Sequence, residues 1–288
     1  MSETVPAERF EEQRPRLRAV AYRMLGSLSE ADDALQETWL RASGTDTADV
    51  ENLPAWLTTV TARVCLNMLR SRRRRREESM ELRVPDPVVS PESGLDPEHE
   101  ALLADSVGLA MLVVLETLKP SERLAFVLHD MFAVPFEDIA EVIEKTPAAA
   151  RQLASRARRR VEDQTITPER DRGRERAAVD AFLAASQQGD FDALVAVLDP
   201  DVVLRSDGGT ARPALTSLLR GARTVAGQAV MFTKFARLSR PVLVNGAPGF
   251  VVVDKHGPVA VLALTVANDR IAAIDILADP ERLERLEL

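Results

Sequence analysis

Apolar residues recur at helical spacing in three consecutive pieces of the segment 120–161, and short polar breaks separate the pieces. The spaced residues are Leu124, Val127 and Leu128, then Ile139, Val142 and Ile143, and finally Ala150, Leu153, Ala154, Ala157 and Val161. Thr146 is placed to cap the third piece, and Pro147 suits its first helical position, where a backbone N–H is not needed. The pattern predicts short helices joined by tight turns.

The third piece carries a basic polar face opposite its apolar stripe. This face consists of Arg151, Gln152, Ser155, Arg156 and Arg159, and no acidic residue interrupts it between Thr146 and Val161. A short helix, a tight turn and a second helix of this kind predict a helix-turn-helix, whose second helix fits the major groove of DNA. The alternative is an ordinary helical hairpin with a solvated charged face.

Three helices are predicted earlier in the chain. The first covers residues 8–27, and the second covers Glu30–Ala42 with Ser29 as its cap and acidic residues in its first turn, where the helix dipole favours anions. A polar loop over Ser43–Asn52 precedes the third helix, which runs from Ala55 to about Arg74. The outward face of the second helix holds Asp32, Asp33, Gln36 and Glu37.

Two stretches interrupt the helical pattern and divide the chain. Residues 77–97 are rich in Pro, Ser, Glu and Asp, which predicts a linker rather than an element. Helix returns over about Pro97–Leu118, and a second linker is predicted at 164–171. The expected domains are therefore residues 1–76, 98–163 and 172–288.

The last predicted domain combines helices with strands, unlike the helical segments before it. Two helices, Arg174–Gln187 and Asp190–Leu198, are followed by a strand at Asp201–Ser206 and a helix over Arg223–Arg237. The β-rich runs that close the chain are Pro241–Val244, Phe250–Asp254, Val259–Ala267 and Ile271–Leu277, separated by Asn245-Gly246, His256-Gly257 and Asn268-Asp269. Such dipeptides are typical of hairpin turns. Helices followed by an antiparallel meander predict an α+β domain with one curved sheet packed on helices.

Composition narrows the class of protein. The chain has a single cysteine, Cys65, so an internal disulfide and a cysteine-based zinc site are both excluded. This low cysteine content is typical of proteins in a reducing cytoplasm. The first residues lack the basic-then-apolar order of a signal peptide, and no apolar run reaches membrane-spanning length. We therefore expect a cytoplasmic protein with no membrane partner.

The net charge of −8 conceals two basic clusters. Seven arginines lie between Arg63 and Arg76 and five between Arg151 and Arg160, with no acidic residue inside either cluster. Removing these twelve from the 37 basic residues leaves 25 against 45 acidic ones, a net charge of −20. Two basic clusters on an acidic body are typical of a protein that contacts phosphates at chosen places.

The order of these features resembles the extracytoplasmic-function sigma factors of bacterial RNA polymerase. The segment Ala31–Leu40 looks like the helix with which that family binds the polymerase clamp. Pro54–Leu57 with Asn67, Leu69 and Arg70 resembles its −10 reading helix, and Phe136–Ala140 with Arg151–Arg158 resembles its −35 reader. The resemblance covers more than half of the chain.

The resemblance implies partners and roles for the polar faces. The partners are bacterial core RNA polymerase, through its clamp coiled-coil and its flap, and promoter DNA. Asp32, Asp33, Gln36 and Glu37 are expected to bind the polymerase. The −10 contacts are expected from Arg63, Asn67, Arg70, Arg72 and Arg73, and the −35 contacts from Arg151, Gln152, Ser155, Arg156 and Arg159.

The C-terminal domain resembles the SnoaL-like group of cone-shaped α+β barrels, which a subgroup of these sigma factors carries. Val84–Val88 resembles the linker motif of that subgroup, Asp279–Leu283 resembles its C-terminal segment, and Asp207-Gly208-Gly209 resembles its glycine turn. The domain is expected to regulate the factor in cis. The expected interdomain residues are Pro85, Asp86, Pro87, Asp207, Gly208, Gly209, Asp279 and Pro280.

Two other functions stay open at the level of sequence. The barrel could hold or convert a small molecule, with Asp207, Asp254, His256, Asp269 and Asp275 as its acid or base groups, although no His/Asp pair at catalytic spacing stands out. The chain could instead be a ligand-responsive helix-turn-helix regulator, for which the acidic helix would be surplus. We expect a sigma factor that is not an enzyme and needs neither a cofactor nor a metal.

Overall fold

The computed structural model describes residues 5–48, 50–75, 82–92, 108–164 and 171–286. Its described residues form two compact units. The first comprises residues 5–48, 50–75 and 114–164, and the second comprises residues 82–92, 108–113 and 171–286. Within the described ranges, no helix has the length and apolarity needed to cross a membrane.

The first unit is helical. Its helices are α1 (Ala7–Leu25), α2 (Leu28–Ser43), α3 (Leu53–Arg75), the last four residues of α4 (Leu109–Thr117), α5 (Pro120–Phe126) continued by a π-helical turn (Val127–Met131), α6 (Phe136–Ile143) and α7 (Pro147–Gln164). Most residues of the apolar stripes predicted for 120–161 lie in the core, for example Leu124, Ile139 and Ala154. Burial of one face of each helix stabilises elements that would be marginal alone. The predicted helix over Pro97–Leu118 is seen from Leu109, and its earlier part lies outside the described residues.

Local signals set the ends of these helices. Gly26 ends α1 in the left-handed conformation with φ of 66°, and Ser27 then caps α2 by accepting a hydrogen bond from the Glu30 N–H at 3.4 Å. The prediction of Ser29 as that cap was wrong, because the reversal at Gly26 lets α2 begin two residues earlier. Before α7, Thr146 accepts a hydrogen bond from the Ala149 N–H at 3.2 Å, as predicted.

The second unit combines helices with one mixed sheet. Its helices are α8 (Arg172–Gln188), α9 (Phe191–Val197), a 3-10 turn (Pro213–Leu215), α10 (Ala222–Met231), α11 (Thr233–Ala236) and α12 (Pro280–Leu283). Its strands are β1 (Val89–Ser90), β2 (Leu198–Asp207), β3 (Ser217–Arg220), β4 (Ser239–Val244), β5 (Ala247–Asp254), β6 (Gly257–Ala267) and β7 (Arg270–Leu277). The core lies between the helices and one sheet face, around Phe182, Val225 and Phe250.

The strand order is β1-β4-β5-β6-β7-β2-β3. Strands β4 to β7 form the predicted antiparallel meander, and positive φ angles at Asn245, Gly246, Asn268 and Asp269 produce the predicted hairpin turns. Three features differ from the prediction: β2 pairs in parallel with β7, β3 was not predicted, and β1 comes from the predicted linker. The predicted helix over Arg223–Arg237 is two helices that meet at Phe232.

Candidate polymerase and DNA faces and linker clamp

The acidic face of α2 is exposed. Asp32, Asp33 and Gln36 are exposed and Glu37 is half-exposed. Arg18 donates two hydrogen bonds to the Asp32 carboxylate, at 2.8 and 3.2 Å, which fixes its orientation. Leu40 lies one turn beyond Gln36 on the same face and is 60% exposed, a feature that the sequence pattern did not reveal. The face therefore offers carboxylates, an amide and one apolar side chain together.

Helix α3 presents part of the predicted −10 set on one face. Arg63, Asn67 and Arg70 follow the helical repeat and are exposed, and Arg73 is exposed as well. The Arg63 guanidinium reaches only the Glu141 carbonyl, at 3.5 Å, so its charge has no acidic partner among the described residues. This side of α3 can grip phosphates or reach a base edge.

Arg72 lies on the opposite side of α3 and does not join that face. It follows Arg63 by nine residues, which is about 180° around a helix with roughly 3.6 residues per turn. Its guanidinium donates to the Leu25 carbonyl at 3.1 Å, to Glu30 at 3.0 Å and to Glu116 at 3.0 Å. Since these bonds occupy the group inside the first unit, the structure does not support its predicted place on an exposed DNA face.

Glu116 joins Arg72 to a second arginine. Arg123 is 1% exposed and donates to the other oxygen of Glu116 at 3.0 Å and to the Met24 carbonyl at 2.8 Å. The network therefore ties α3 and the end of α1 to α4 and α5. No pattern in the sequence indicates this network, because Arg72 and Glu116 are 44 residues apart and Met24 and Arg123 are 99 residues apart.

The basic face of α7 is also exposed. Arg151, Gln152, Arg156 and Arg159 are exposed and Ser155 is half-buried. Arg151 pairs with Glu137 at 3.1 Å and lies over the Phe136 ring at 5.4 Å. Arg156 donates to the Gln152 carbonyl at 3.3 Å, and neither Arg156 nor Arg159 forms an ion pair with a described residue. Two arginines thus present unneutralised charge beside a polar amide, which suits a DNA contact.

The three segments predicted to be interdomain contacts meet around Arg282. Its guanidinium donates to Asp86 at 2.6 Å, to Asp207 at 2.8 Å and to the Val84 carbonyl at 2.6 Å. Asp207 also accepts from the Val84 N–H at 3.1 Å. We call these four residues the linker clamp. Arg282 lies in the Asp279–Leu283 motif, but the sequence predicted no role for it. In the structure it is the residue that the two carboxylates share.

Electrostatics hold the clamp together. Burial acts against a charged guanidinium, but the carboxylates of Asp86 and Asp207 outweigh it, so the pKa of Arg282 is raised above its usual value. Bonds between ionised donors and acceptors are about twice as strong as neutral ones. The clamp therefore holds a charged arginine at neutral pH.

Strand pairing extends the clamp along the linker. Residues 84–90 are all buried. The Asn245 side chain accepts from the Val88 N–H at 3.1 Å, while the Asn245 N–H donates to the Val88 carbonyl at 2.8 Å. Val89 and Ser90 then pair with β4. Pro85 and Pro87, which have no N–H, lie between Val84 and Val88, whose backbone N–H and C=O groups are bonded, so the segment suits an edge position.

The glycine turn and the C-terminal segment shape the clamp. Gly209 has φ of 60°, and a Cβ there would lie 2.1 Å from the Asp279 carboxylate. A Cβ on Gly208 would lie 2.1 Å from the Arg212 carbonyl. Asp279 accepts from the Glu281 N–H at 3.0 Å and so caps α12, in which Pro280 takes the first position. Close approach of the two segments is what places Arg282 against Asp207.

Family models and relatives agree with this geometry. Residues 9–75 match the model of Sigma-70 region 2, and residues 109–161 match that of Sigma-70 region 4. The ECF RNA polymerase sigma factor SigJ of Mycobacterium tuberculosis is 37% identical over 287 residues, covering 95% of this chain and 91% of SigJ. The chain belongs to the extracytoplasmic-function sigma factors.

Two further comparisons cover more than nine tenths of the chain. The probable ECF RNA polymerase sigma factor SigI of Mycobacterium tuberculosis is 33% identical over 273 residues, covering 93% of this chain and 91% of SigI. The crystal structure of SigJ superposes with a TM-score of 0.76 at 33% identity, covering 98% of this chain and 100% of that chain. The predicted fold class is confirmed: two helical sigma regions are followed by an α+β domain.

Proposed function

We propose that this protein is an alternative sigma factor that binds bacterial core RNA polymerase, directs promoter-specific initiation and is regulated in cis by its C-terminal domain. Family membership supports the first two parts. The observation that carries the third is the linker clamp, in which the C-terminal domain holds the segment between regions 2 and 4. A factor that binds core polymerase acts in the cytoplasm.

The acidic face of α2 is proposed to bind the clamp coiled-coil of the polymerase. Asp33 and Gln36 are its central exposed groups, and Leu40 adds apolar contact area. Opposite charge on the partner would set the register and speed the encounter. Region 4 is proposed to bind the flap, as the family resemblance implies.

Core binding can be tested with matched double variants. Asp33→Ala with Gln36→Ala should weaken binding of core polymerase at least tenfold and leave the fold intact by circular dichroism. Glu12→Ala with Gln13→Ala removes the same kinds of side chain from the surface of α1 and should leave the affinity unchanged. Equal affinity of both variants would contradict the proposed face.

The exposed arginines of α3 and α7 are proposed to bind promoter DNA. Arg63, Asn67 and Arg70 would contact the −10 element, and Arg151, Gln152, Arg156 and Arg159 the −35 element. In the assembled holoenzyme, Arg156→Ala with Arg159→Ala should reduce the dependence of promoter affinity on salt by about one unit of slope for each phosphate that the variant no longer binds. Arg9→Ala, an exposed arginine of α1, is the control. An unchanged slope would place the DNA elsewhere.

The clamp is proposed to control how far regions 2 and 4 can separate. An extended chain spans at most about 3.3–3.6 Å per residue, so holding residues 84–90 fixes roughly 25 Å of chain that would otherwise be free to bend and reorient. Opening the clamp would return that length to the linker. The C-terminal domain thus regulates through chain length, without requiring a metal or a thiol sensor.

Run-off transcription with core polymerase tests the whole proposal. The full-length protein should direct promoter-specific initiation, and Arg282→Gln should change the amount of transcript at least severalfold at the same promoter. If the full-length protein gives no specific transcript with any promoter from a random library, the sigma function is wrong. If Arg282→Gln and the wild type give equal transcript over a range of concentrations, cis regulation through the clamp is wrong and the sigma function stands.

A further inference from the structure

The second unit contains a cavity of about 240 Å³ between its helices and one face of its sheet. Its walls come from α8, α10, α11 and strands β2 to β7, and its largest lining side chains include Phe182, Phe232, Phe235 and Phe250. None of the described residues that line it is ionisable. Since an engineered apolar cavity of roughly 150 Å³ binds benzene, this one has room for a somewhat larger molecule.

Among the described residues of this mainly apolar wall, one buried polar atom is left without a partner. Ser186, on α8, lines the cavity and is 4% exposed, and its hydroxyl makes no hydrogen bond with any described residue. A serine in a helix often donates to the backbone carbonyl one turn earlier, but the Ser186 hydroxyl makes no such bond. A buried hydroxyl with no partner is unfavourable, so a bound molecule that supplies a donor or an acceptor, once the Ser186 side chain turns toward the cavity, would gain affinity there.

The opening of the cavity is apolar as well. Phe235 both lines the cavity and is 38% exposed, so its ring lies at the boundary with solvent. Met231 is 79% exposed and Leu238 is 42% exposed, and both are close to Phe235 in the chain. Exposed apolar side chains are therefore concentrated in the stretch of chain that holds the lining residues Phe232, Phe235 and Ala236. Exposed apolar surface of this kind is typical of sites that bind ligands.

The acid and base groups considered in the sequence lie elsewhere. Asp254 accepts from the His256 N–H in a hairpin turn, Asp269 lies in the next turn, and Asp207 belongs to the clamp. Asp275 lies between two lining residues of β7, so its side chain is on the other face of the sheet. The cavity thus offers binding without a general acid or base.

The wall of the cavity continues directly into the linker clamp. Ser206 lines the cavity and the next residue, Asp207, binds Arg282. Ala278 also lines the cavity, and its N–H donates to the Asp207 carbonyl at 2.7 Å. Arg212 in turn donates to the Ala278 carbonyl at 3.2 Å. A molecule that moves either wall residue acts on the backbone that positions Asp207.

We propose that this cavity binds a small, uncharged, mainly apolar molecule with one hydrogen-bonding group, and that its occupancy changes how firmly the clamp holds residues 84–90. The binding site stands without the proposed function. Its consequence for transcription rests on that function. A ligand shifts the clamp only as far as it binds one state better than the other, so the two effects are linked.

Binding is tested with the full chain and three probes of one shape: 2-naphthol, 2-naphthoate and 2-naphthylmethylammonium. We expect 2-naphthol to bind saturably at one site, at least tenfold more tightly than either charged probe. Ser186→Ala should weaken it about threefold to tenfold, the range for one hydrogen bond. Ala229→Trp and Ala260→Phe fill the cavity and should abolish binding, whereas Ala184→Trp adds an indole on the exposed side of α8 and should not.

Each outcome decides one part of the proposal. Thermal unfolding checks that the filled variants fold, and two independent fillings guard against failure of either. If 2-naphthol binds the filled variants as well as the wild type, or binds no better than the charged probes, the proposed binding site is wrong.

Hydrogen exchange at the Val84 and Val88 amides measures how often the clamp opens. A change in exchange on adding 2-naphthol supports coupling between the cavity and the clamp, and unchanged exchange at saturation overturns it. Neither readout depends on transcription.

Discussion

Two arginine networks in this protein have opposite arrangements. In the first unit one carboxylate, Glu116, is shared by Arg72 and Arg123. In the second unit one guanidinium, Arg282, is shared by Asp86 and Asp207. In both networks the arginines also bond backbone carbonyls, so they fix chain segments as well as side chains.

The difference between the networks lies in what each one holds. The Glu116 network joins helices that pack against each other through apolar residues, so its removal leaves that packing in place. The Arg282 network holds a short linker segment that has only a two-residue strand of its own. Removing a charge from the Glu116 network should therefore lower the free energy of unfolding of the first unit. Removing Arg282 should instead loosen the contact between the second unit and the linker. A buried charge left unpaired is the main penalty in either case.

The largest effect is expected from Arg123→Met. This change removes a guanidinium that is 1% exposed and leaves the Met24 carbonyl and one oxygen of Glu116 without its bonds. Breaking a buried ion pair in this way costs about 3–5 kcal/mol. Urea unfolding followed by tryptophan fluorescence measures it, because both tryptophans, Trp39 and Trp56, belong to the first unit. Arg72→Met, at a partly exposed site, should cost less, and the reverse order would contradict the burial argument.

The next effect is expected from Arg282→Gln. Asp86 and Asp207 then lose their shared cation, and the linker opens more often without unfolding of the unit. A hydrogen bond to a charged group is worth about 1.5–3 kcal/mol, so exchange at the Val84 and Val88 amides should speed up on the order of thirtyfold. Arg285→Gln, an exposed neighbour, should leave exchange unchanged. Equal protection in both variants would show that strand pairing alone holds the linker.

Much of the fold follows from local patterns in the sequence. Helical spacing of apolar residues predicts α1 to α3 and α6 to α7, and dipeptides that favour positive φ predict the hairpins of the meander. Strand β3 and the parallel pairing of β2 with β7 were missed, because pairing between distant strands leaves no local signal. Strand β1 has only two residues within a proline-rich segment, and composition alone predicts a linker there.

The functional sites were predictable to different degrees. Resemblance to a family identified the three segments of the clamp, but not Arg282 as the residue that joins them. For α3, the sequence alone could not predict which arginines are exposed to solvent and which pair with acidic residues inside the first unit. The partner that turns Arg72 inward, Glu116, lies 44 residues away and is recognisable only after folding.

A third change tests the close approach that builds the clamp. Gly209→Ala puts a methyl group against Asp279 at a position with φ of 60°. Gly246→Ala carries a similar positive φ, of 78°, but meets no atom within 4 Å, so it measures the backbone strain alone. We expect Gly246→Ala to destabilise the second unit by about 1 kcal/mol and Gly209→Ala by roughly 1–2 kcal/mol more. Equal losses, measured by hydrogen exchange of β7 amides, would mean that Asp279 moves aside freely.

The smallest expected effect concerns Asp275, a buried carboxylate that is incompletely paired, in contrast to the paired carboxylates of the clamp. Asp275 is 1% exposed; one oxygen accepts from Arg205 at 3.1 Å, and the other has no partner among the described residues. Burial raises the pKa of Asp275, although Arg205 acts against the rise. The folded protein then holds this proton more tightly than the unfolded chain, so stability falls as pH rises above the ordinary aspartate pKa of about 4.

Asp275→Asn removes this titration and provides the measurement. At pH 7 the variant should be more stable than the wild type by hydrogen exchange of β7 amides, and the gap should close as pH is lowered below about 4, where the wild-type carboxyl becomes protonated in both states. Asp269→Asn, at an exposed carboxylate in a turn, should show no comparable gap. If Asp275→Asn is instead less stable at pH 7, and the deficit shrinks at low pH, the ion pair with Arg205 outweighs burial. Asp275 would then resemble the clamp carboxylates, whose shared arginine compensates for their removal from water.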